Sequence, residues 1–434
     1  MWRLPVCKRF CIQPALAATL LIVSAQVRAE PGLPEAPEVA AALDGAPAVR
    51  AARARARAAR AEADTLAAGP HEFTVSTSYL SRNVRGEGAA SDGRFDEFEA
   101  QITRPVRLPG KARLDVRIGA LGITAADNRA EDARHQAALL LAQGWWDWLG
   151  AAEQARIDSQ AIANYETLLA GIRRRAALRD ASQLEVDQAM AALGLARLAS
   201  ERSTGQERLA RGRLAARFPG FRLPEMAPEI PRPEMPVPRL AVLHDRILGK
   251  SHEIIAAESE ADRMRALADR VRRDRMADPT VGMRVFSERN GAEKGIGVLV
   301  SMPLGGGHRS ALARRAGAEA DAALAEATAA HLSVQETADA DLTEAEFSLE
   351  VWDRAREGLN AQVAALNKMR RGQQAGEFDL SDVLLAERQV HDAFRSEAQA
   401  RTDALRALTK IRIDAHELWI GDAEDNALPE NLTN

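Results

Sequence analysis

Between Lys294 and Leu304 the chain alternates. Ile296, Val298, Val300, Met302 and Leu304 fall on one face of an extended segment; Gly295, Gly297, Leu299 and Ser301 fall on the other. Pro303 cannot donate to a ladder, so pairing must end nearby. Gly305, Gly306 and Gly307 follow, and from Ser310 an Ala-rich, helix-compatible run reaches Arg371. An earlier stretch repeats this pattern. Phe98, Ala100 and Ile102 alternate, Pro105 ends the run, and Leu108–Arg113 (L-P-G-K-A-R) opens a second long helix.

Each return strand has an outgoing partner. His71–Leu80 places Phe73, Val75, Thr77 and Tyr79 on one face, and Gly86–Gly93 supplies a polar, Gly-rich turn. Thr280–Ser287 places Val281, Met283 and Val285 on one face, and Glu288–Glu293 turns the chain. Helices are predicted over Val39–Ala68, Lys111–Leu178, Ser182–Phe218, Leu240–Met276, Ser310–Arg371 and Leu380–Ile420. Gly69-Pro70 and Asp278-Pro279 stop the shorter ones. The Lys111 helix alone would extend roughly 100 Å. A break at Arg179–Ser182 is followed by Glu185, three residues beyond Ser182, the spacing of a capping box.

The chain thus reads as two copies of one unit. The expected divisions are a leader at 1–29, a first repeat at 30–217 with its hairpin at 71–105, and a linker at 218–238. A second repeat follows at 239–420, with its hairpin at 279–304, and then a loose acidic tail at 421–434. The linker holds Pro219, Pro224, Pro228, Pro231, Pro233, Pro236 and Pro238, which forbid helix.

Composition narrows the class. The 434 residues carry a net charge of −4, so charge gives no footprint for nucleic acid. Hydrophobic residues make up 46% but aromatics only 4%, which suits long helices packed through alanine better than an enzyme core. Arg3, Lys8 and Arg9 precede an apolar run from Cys11 to Ala25, and Val27-Arg28-Ala29 has the small-x-small form of a cleavage site. Both cysteines, Cys7 and Cys11, lie within this leader. No stretch after the leader offers ~18 consecutive apolar residues, the length of a spanning helix. Four strands with an apolar face cannot close a barrel, for which eight is about the minimum. In lipid an open sheet edge is not tolerated. Three chains would supply twelve strands.

Chemistry is sparse. His252–Ala256 begins like a zinc-protease motif but lacks the second histidine, and Gly305–Ser310 lacks the Lys-Ser/Thr ending of a phosphate loop. No nucleophile–base pair and no soft-metal cluster is evident. We therefore expect no enzyme, no catalytic residue, no cofactor and no metal centre. Arg50, Arg53, Arg57 and Arg60 form a basic helix face whose simplest reading is solvation. Trp145, Trp146 and Trp148 suit a core or girdle position.

Four segments carry a resemblance: Asp278–Val285 (D-P-T-V-G-M-R-V), Val298–Leu304 (V-L-V-S-M-P-L), Arg104–Arg113 (R-P-V-R-L-P-G-K-A-R) and Gly376–Arg388 (G-E-F-D-L-S-D-V-L-L-A-E-R). With the repeat, they make the chain resemble the outer-membrane efflux channel family typified by the bacterial channel-tunnel protein, most closely the branch serving heavy-metal-exporting pumps. The resemblance implies a mainly α fold with a small β part: a coiled-coil helical tunnel in the periplasm joined to an outer-membrane β-barrel. The barrel is completed by trimerisation, with four strands per protomer. It implies a homotrimer, a periplasmic adaptor and an inner-membrane efflux pump as partners, and passive efflux transport. Val281, Met283, Val285, Ile296, Val298 and Val300 would face outer-membrane lipid. The family's periplasmic tip carries a glycine and, six residues on, an acid; Gly376 and Asp382 match. The first-copy positions are Arg179, Ser182 and Glu185, with Arg179 standing where the family has glycine. Leu385 stands where some members hold a second acid. Arg370, Arg371 and these residues would form the pore and adaptor-contact tip; the alternative for Asp382 is a helix-start charge beside the dipole. The competing reading is a periplasmic adaptor-type coiled-coil protein, which would show one helical hairpin between lipoyl-like and barrel domains.

Overall fold

The computed structural model describes residues 31–85 and 93–420. The expected leader, the acidic tail and most of the Gly86–Gly93 turn lie outside the described residues. The first half runs α1 (Ala36–Gly45), α2 (Pro47–Ala68), β1 (Thr74–Val84), β2 (Gly93–Pro105), α3 (Lys111–Ala177) and α4 (Gln183–Arg217). The second runs α5 (Leu240–Lys250), α6 (His252–Arg273), β3 (Thr280–Glu288), β4 (Glu293–Ser301), α7 (Gly307–Gln374) and α8 (Leu380–Asp414). Counterparts match in length: α2 and α6 have 22 residues each, α4 and α8 have 35 each, and α3 and α7 have 67 and 68.

Two helices expected to be continuous are each divided. Val39–Ala68 breaks at Pro47, whose fixed φ suits the first position of a new helix and whose ring prevents continuation of the old one. Leu240–Met276 breaks at Ser251, whose hydroxyl accepts from Ile254 N at 3.3 Å and caps α6. The final helix ends at Asp414, before the expected Ile420. Helix α7 starts at Gly307 and runs through Gly372 to Gln374.

The strands form one antiparallel sheet in the order β1-β2-β3-β4, so β2 pairs with β3 across the two halves. Around it the helices arrange by contact. Near the sheet α3 lies between α2 and α6, and α6 also packs on α7; farther away α4 and α8 flank α3, and α8 packs on α7. Each long helix therefore runs the full length, and two shorter ones share its side in sequence. Alanine makes the close approach possible: Ala52 and Ala56 meet Ala126 and Ala130, and Ala261 meets Ala323 and Ala327. Gly119 sits so close to Ala63 that an added Cβ would stand 2.8 Å from its methyl group.

The largest core lies midway along the long helices. Trp145, Trp146 and Trp148 are buried there with Leu43, Phe221, Ile230 and Ile413. Each indole N–H has a partner: Gly32 O at 2.8 Å, Thr409 Oγ1 at 2.9 Å and Glu207 Oε1 at 2.8 Å. These are packing residues, as the spacing suggested. The Pro-rich linker is pinned to the same core through Phe218, Phe221 and Ile230.

Candidate functional site

Three regions carry the functional argument: the two faces of the sheet, the joint between sheet and helices, and the far end of the helices.

The strand register sorts side chains cleanly, because directly paired residues share a face. Val75, Ile102, Met283 and Val298 form one cross-strand row; Thr77, Ala100, Val285 and Ile296 form the next. Val281 and Val300 pair one row toward the helices. The opposite face carries Ser76, Gln101, Arg284 and Gly297 in one row and Ser78, Glu99, Phe286 and Gly295 in another. There Arg284 Nε approaches Glu99 at 3.6 Å. Gly295 leaves room for the Phe286 ring, which lies 2.4 Å from where a Cβ would stand. One face is apolar and the other polar. The apolar face is bare in the protomer: Ile296, Val298 and Val300 are 69%, 78% and 72% exposed. Strands β1 and β4 each have a free edge among the described residues.

The joint shows what two of the quoted motifs do, and sequence reading had not paired them. Lys111, of L-P-G-K-A-R in the first half, is 1% exposed. Its Nζ lies 2.8 Å from Asp278, of the D-P motif in the second half, and 2.7 Å from Asp274, and it donates to Met276 O at 2.8 Å. Asp278 Oδ1 also accepts from Leu108 N at 3.0 Å. Burial pushes the Asp278 carboxyl up, but Lys111 and the Leu108 N–H overrule it and hold it below the usual range. Beside it Asp115 receives Arg270 at 2.6 Å and Arg107 at 3.3 Å. Gly110 turns the chain into α3 with φ +84, and an added Cβ would meet Arg273 at 2.3 Å. The sole sequence signal was the co-occurrence of the motifs.

At the far end both long helices stop on a residue in the left-handed region: Arg179 with φ +63 and Gly376 with φ +82. These positions correspond, as the alignment of the copies implied, although arginine carries a Cβ there and glycine does not. Ser182 and Glu185 form the expected capping box: Ser182 N donates to Glu185 Oε2 at 2.7 Å, and Glu185 N to Ser182 Oγ at 3.2 Å. Asp379 and Asp382 form its counterpart, with Asp382 N donating to Asp379 Oδ1 at 2.9 Å. Asp382 is thus a helix-capping carboxylate in the protomer. Leu380 packs among Leu169, Ile172, Val186 and Ala189, which brings both turns to one level. Arg370 pairs with Glu387 at 2.7 Å, while Arg371 is exposed. Gly372 lies within the last turn of α7, where an added Cβ would stand 2.5 Å from the Phe378 ring.

A buried ionic cluster midway was likewise illegible, since its members come from three helices. Lys410 contacts Asp341 and lies 3.3 Å from Asp414; His135 Nε2 lies 2.7 Å from Asp414. The His416 ring sits 5.4 Å from that of His135. Burial, then the neighbouring Asp414, pushes the Asp341 carboxyl up to about 8. Burial pushes Asp414 the same way, but His135, Asp341 and Lys410 hold it down at about 2. A raised carboxyl stabilises the fold below its unfolded value and loses that contribution as pH rises through its folded one. For Asp341 the window runs from about pH 4 to pH 8. Asp341→Asn, which mimics the protonated form, is expected to melt with the parent at pH 4 and progressively above it toward pH 8. A difference in melting temperature that stays constant with pH would show that Asp341 does not titrate in this window.

Among the described residues no helix is long and apolar enough to cross a membrane, and no cluster of His, Cys, Asp and Glu has the arrangement of a metal site. No protein-family profile matches the sequence, and no curated protein matches it. Solved structures do match in fold. The outer-membrane channel OprN superposes with a TM-score of 0.73 at 22% identity, covering 88% of this chain and 90% of its own. The outer membrane protein VceC of Vibrio cholerae gives 0.69 at 17% identity, covering 87% and 95%. CusC, described in connection with transmembrane channel formation, gives 0.64 at 14% identity, covering 87% and 91%. The chain has the fold of these outer-membrane channel proteins: a long-helix bundle joined to a four-stranded sheet.

Proposed function

We propose that this chain, built on the outer-membrane channel fold, is the outer-membrane component of a tripartite efflux system and acts as a passive exit duct. The observation that carries this is the bare apolar sheet face backed by a polar one, in a four-stranded sheet with two free edges. Water offers no reason to expose such a face, and lipid offers no tolerance for such edges. Three copies joined edge to edge close twelve strands, with the apolar face toward lipid and the Ser76, Gln101 and Arg284 row toward the lumen. The helices then form a tunnel in the periplasm. The adaptor-type alternative is disfavoured by the duplicated helix–hairpin–helix order.

The fitting partners are a periplasmic adaptor at the helix tip and an inner-membrane pump beyond it. The cargo class we favour is heavy-metal cations, on the sequence resemblance alone. Fractionation should place the protein in the outer membrane as a heat-modifiable trimer that conducts ions in planar bilayers. Recovery as a soluble periplasmic monomer would overturn the reading.

The tip residues Gly376, Asp382, Arg370, Arg371, Arg179, Ser182 and Glu185 are proposed as pore and adaptor contacts. Three copies of Asp382 would ring the opening and attract cations. Asp382→Ala is expected to weaken block by multivalent cations about tenfold while trimers persist; a ring of three charges interacts with a multivalent ion far more strongly than one charge does. Unchanged block would confine Asp382 to capping α8.

A further inference from the structure

We propose that Arg55 on α2 and Glu326 on α7 form an ion pair between neighbouring copies of this chain, a charge-reversed duplicate of the Glu260–Arg129 pair inside each copy. The inference rests on the trimeric reading above and specifies one of its seams.

Near the sheet the helices stand in the order α2-α3-α6-α7, which leaves α2 and α7 as the outer members. Two of the three internal contacts are seams within a half, and these match. Ala56 meets Ala126 and Ala130 in the first half; Ala261 meets Ala323 and Ala327 in the second. Position for position, α2 corresponds to α6 and α3 to α7. The remaining internal contact, α3 with α6, joins the two halves. It is held by Arg129 of α3, 3.5 Å from Glu260 of α6, and by Arg263 of α6 lying over Gly122 of α3. A second contact of the same kind, α7 with α2, is absent from the protomer. It arises when α7 of one copy meets α2 of the next.

The correspondence says what meets there. Aligning Ala56 with Ala261 places Arg55 at the position of Glu260. Aligning Ala126 with Ala323 places Glu326 at the position of Arg129. Both Arg55 and Glu326 are exposed in the protomer and enter none of the ion pairs among the described residues. They are flanked by exposed Ala51 and Ala58 on α2 and by exposed Ala322 and Ala329 on α7, small residues of the kind that form the internal seams. Opposite charge is kept across both seams, but its direction is reversed.

The reversal has a physical consequence. The two halves resemble each other enough for α2 and α6 to compete for each other's places. In a wrong pairing Arg55 would face Arg129, or Glu260 would face Glu326, and like charges repel. The charge pattern therefore selects α2 as the partner of α7 in the next copy and α6 as the partner of α3 in its own.

The test uses the full chain, whose cysteines all lie in the expected leader. Arg55→Cys with Glu326→Cys, treated with a short bis-maleimide, should give covalent dimers and trimers. Arg129→Cys with Glu260→Cys should cross-link only within one chain and leave the mass of a monomer. Arg55→Glu alone should lower the ratio of trimer to monomer in detergent about tenfold, the change being repeated at three seams. Arg55→Glu with Glu326→Arg should restore it. Trimers by native mass that give no intermolecular cross-link, or an unrestored double variant, would overturn the pairing and leave the trimer standing. A parent chain that is monomeric by native mass in detergent and in membranes would overturn both.

Discussion

Val298→Arg is expected to abolish assembly of the proposed outer-membrane barrel. Val298 stands at the β4 end of the apolar row Val75–Ile102–Met283–Val298, paired with Met283, and 78% of its surface is uncovered in the protomer. In the proposed barrel that surface meets lipid near the middle of the apolar band. An arginine there costs ~2–4 kcal/mol per strand, and the barrel carries it three times. The sum, about 6–12 kcal/mol, is comparable to the whole stability of an ordinary domain, about 5–15 kcal/mol. Val300→Arg should be milder. Its partner Val281 pairs in turn with Arg104, so this row already contains a cation at the helix-facing end of the sheet, and the cost falls toward ~1 kcal/mol near a membrane interface. Leu299→Arg points to the polar face beside Gly282 and should be tolerated. The heat-modifiable trimer band in outer-membrane fractions reads all three. Equal yields would show that the apolar face is not the lipid face.

Lys111→Met should loosen the joint between sheet and helices. Asp278 and Asp274 would lose the ammonium that lies between them, and Met276 O would lose its donor. Breaking one side of a buried pair costs about 3–5 kcal/mol because the remaining charge stays desolvated. The figure sits at the low end here, since Asp274 is partly exposed and Asp278 keeps the Leu108 N–H. Adding Asp278→Asn to Lys111→Met should recover part of the loss, because it removes the stranded charge. Thermal melting of the purified protein measures both. A single variant that melts with the parent, or a double variant that melts below the single one, would show that the pair does not hold the joint.

Much of this architecture was present in the chain as local pattern. Alternation at Val281–Val285 and Ile296–Val300 fixed strands and faces together, because the side-chain period of a strand is two whatever surrounds it. Pro105 and Pro303 marked the strand ends because proline lacks the donor, wherever the strand lies. Ser182 with Glu185 declared a helix start, since a capping box closes within four residues. The helix breaks at Pro47 and Ser251 were local too, but helix-compatible flanks on either side read as one continuous helix and hid them.

What the sequence left open was every contact whose partners are far apart along the chain. Lys111 and Asp278 are separated by 167 positions, and His135 and Asp414 by 279. No periodicity links such residues; only the stacking of helices α3, α6, α7 and α8 brings their charges together. The same holds at the tip. The resemblance offered Asp382 as a pore acid and its position after Asp379 equally suited a helix-start charge; the structure shows its backbone and carboxylate engaged with Asp379 at the start of α8. A lone carboxylate has the same signature in both roles, because the charge belongs to the residue and the field that gives it a task belongs to the fold.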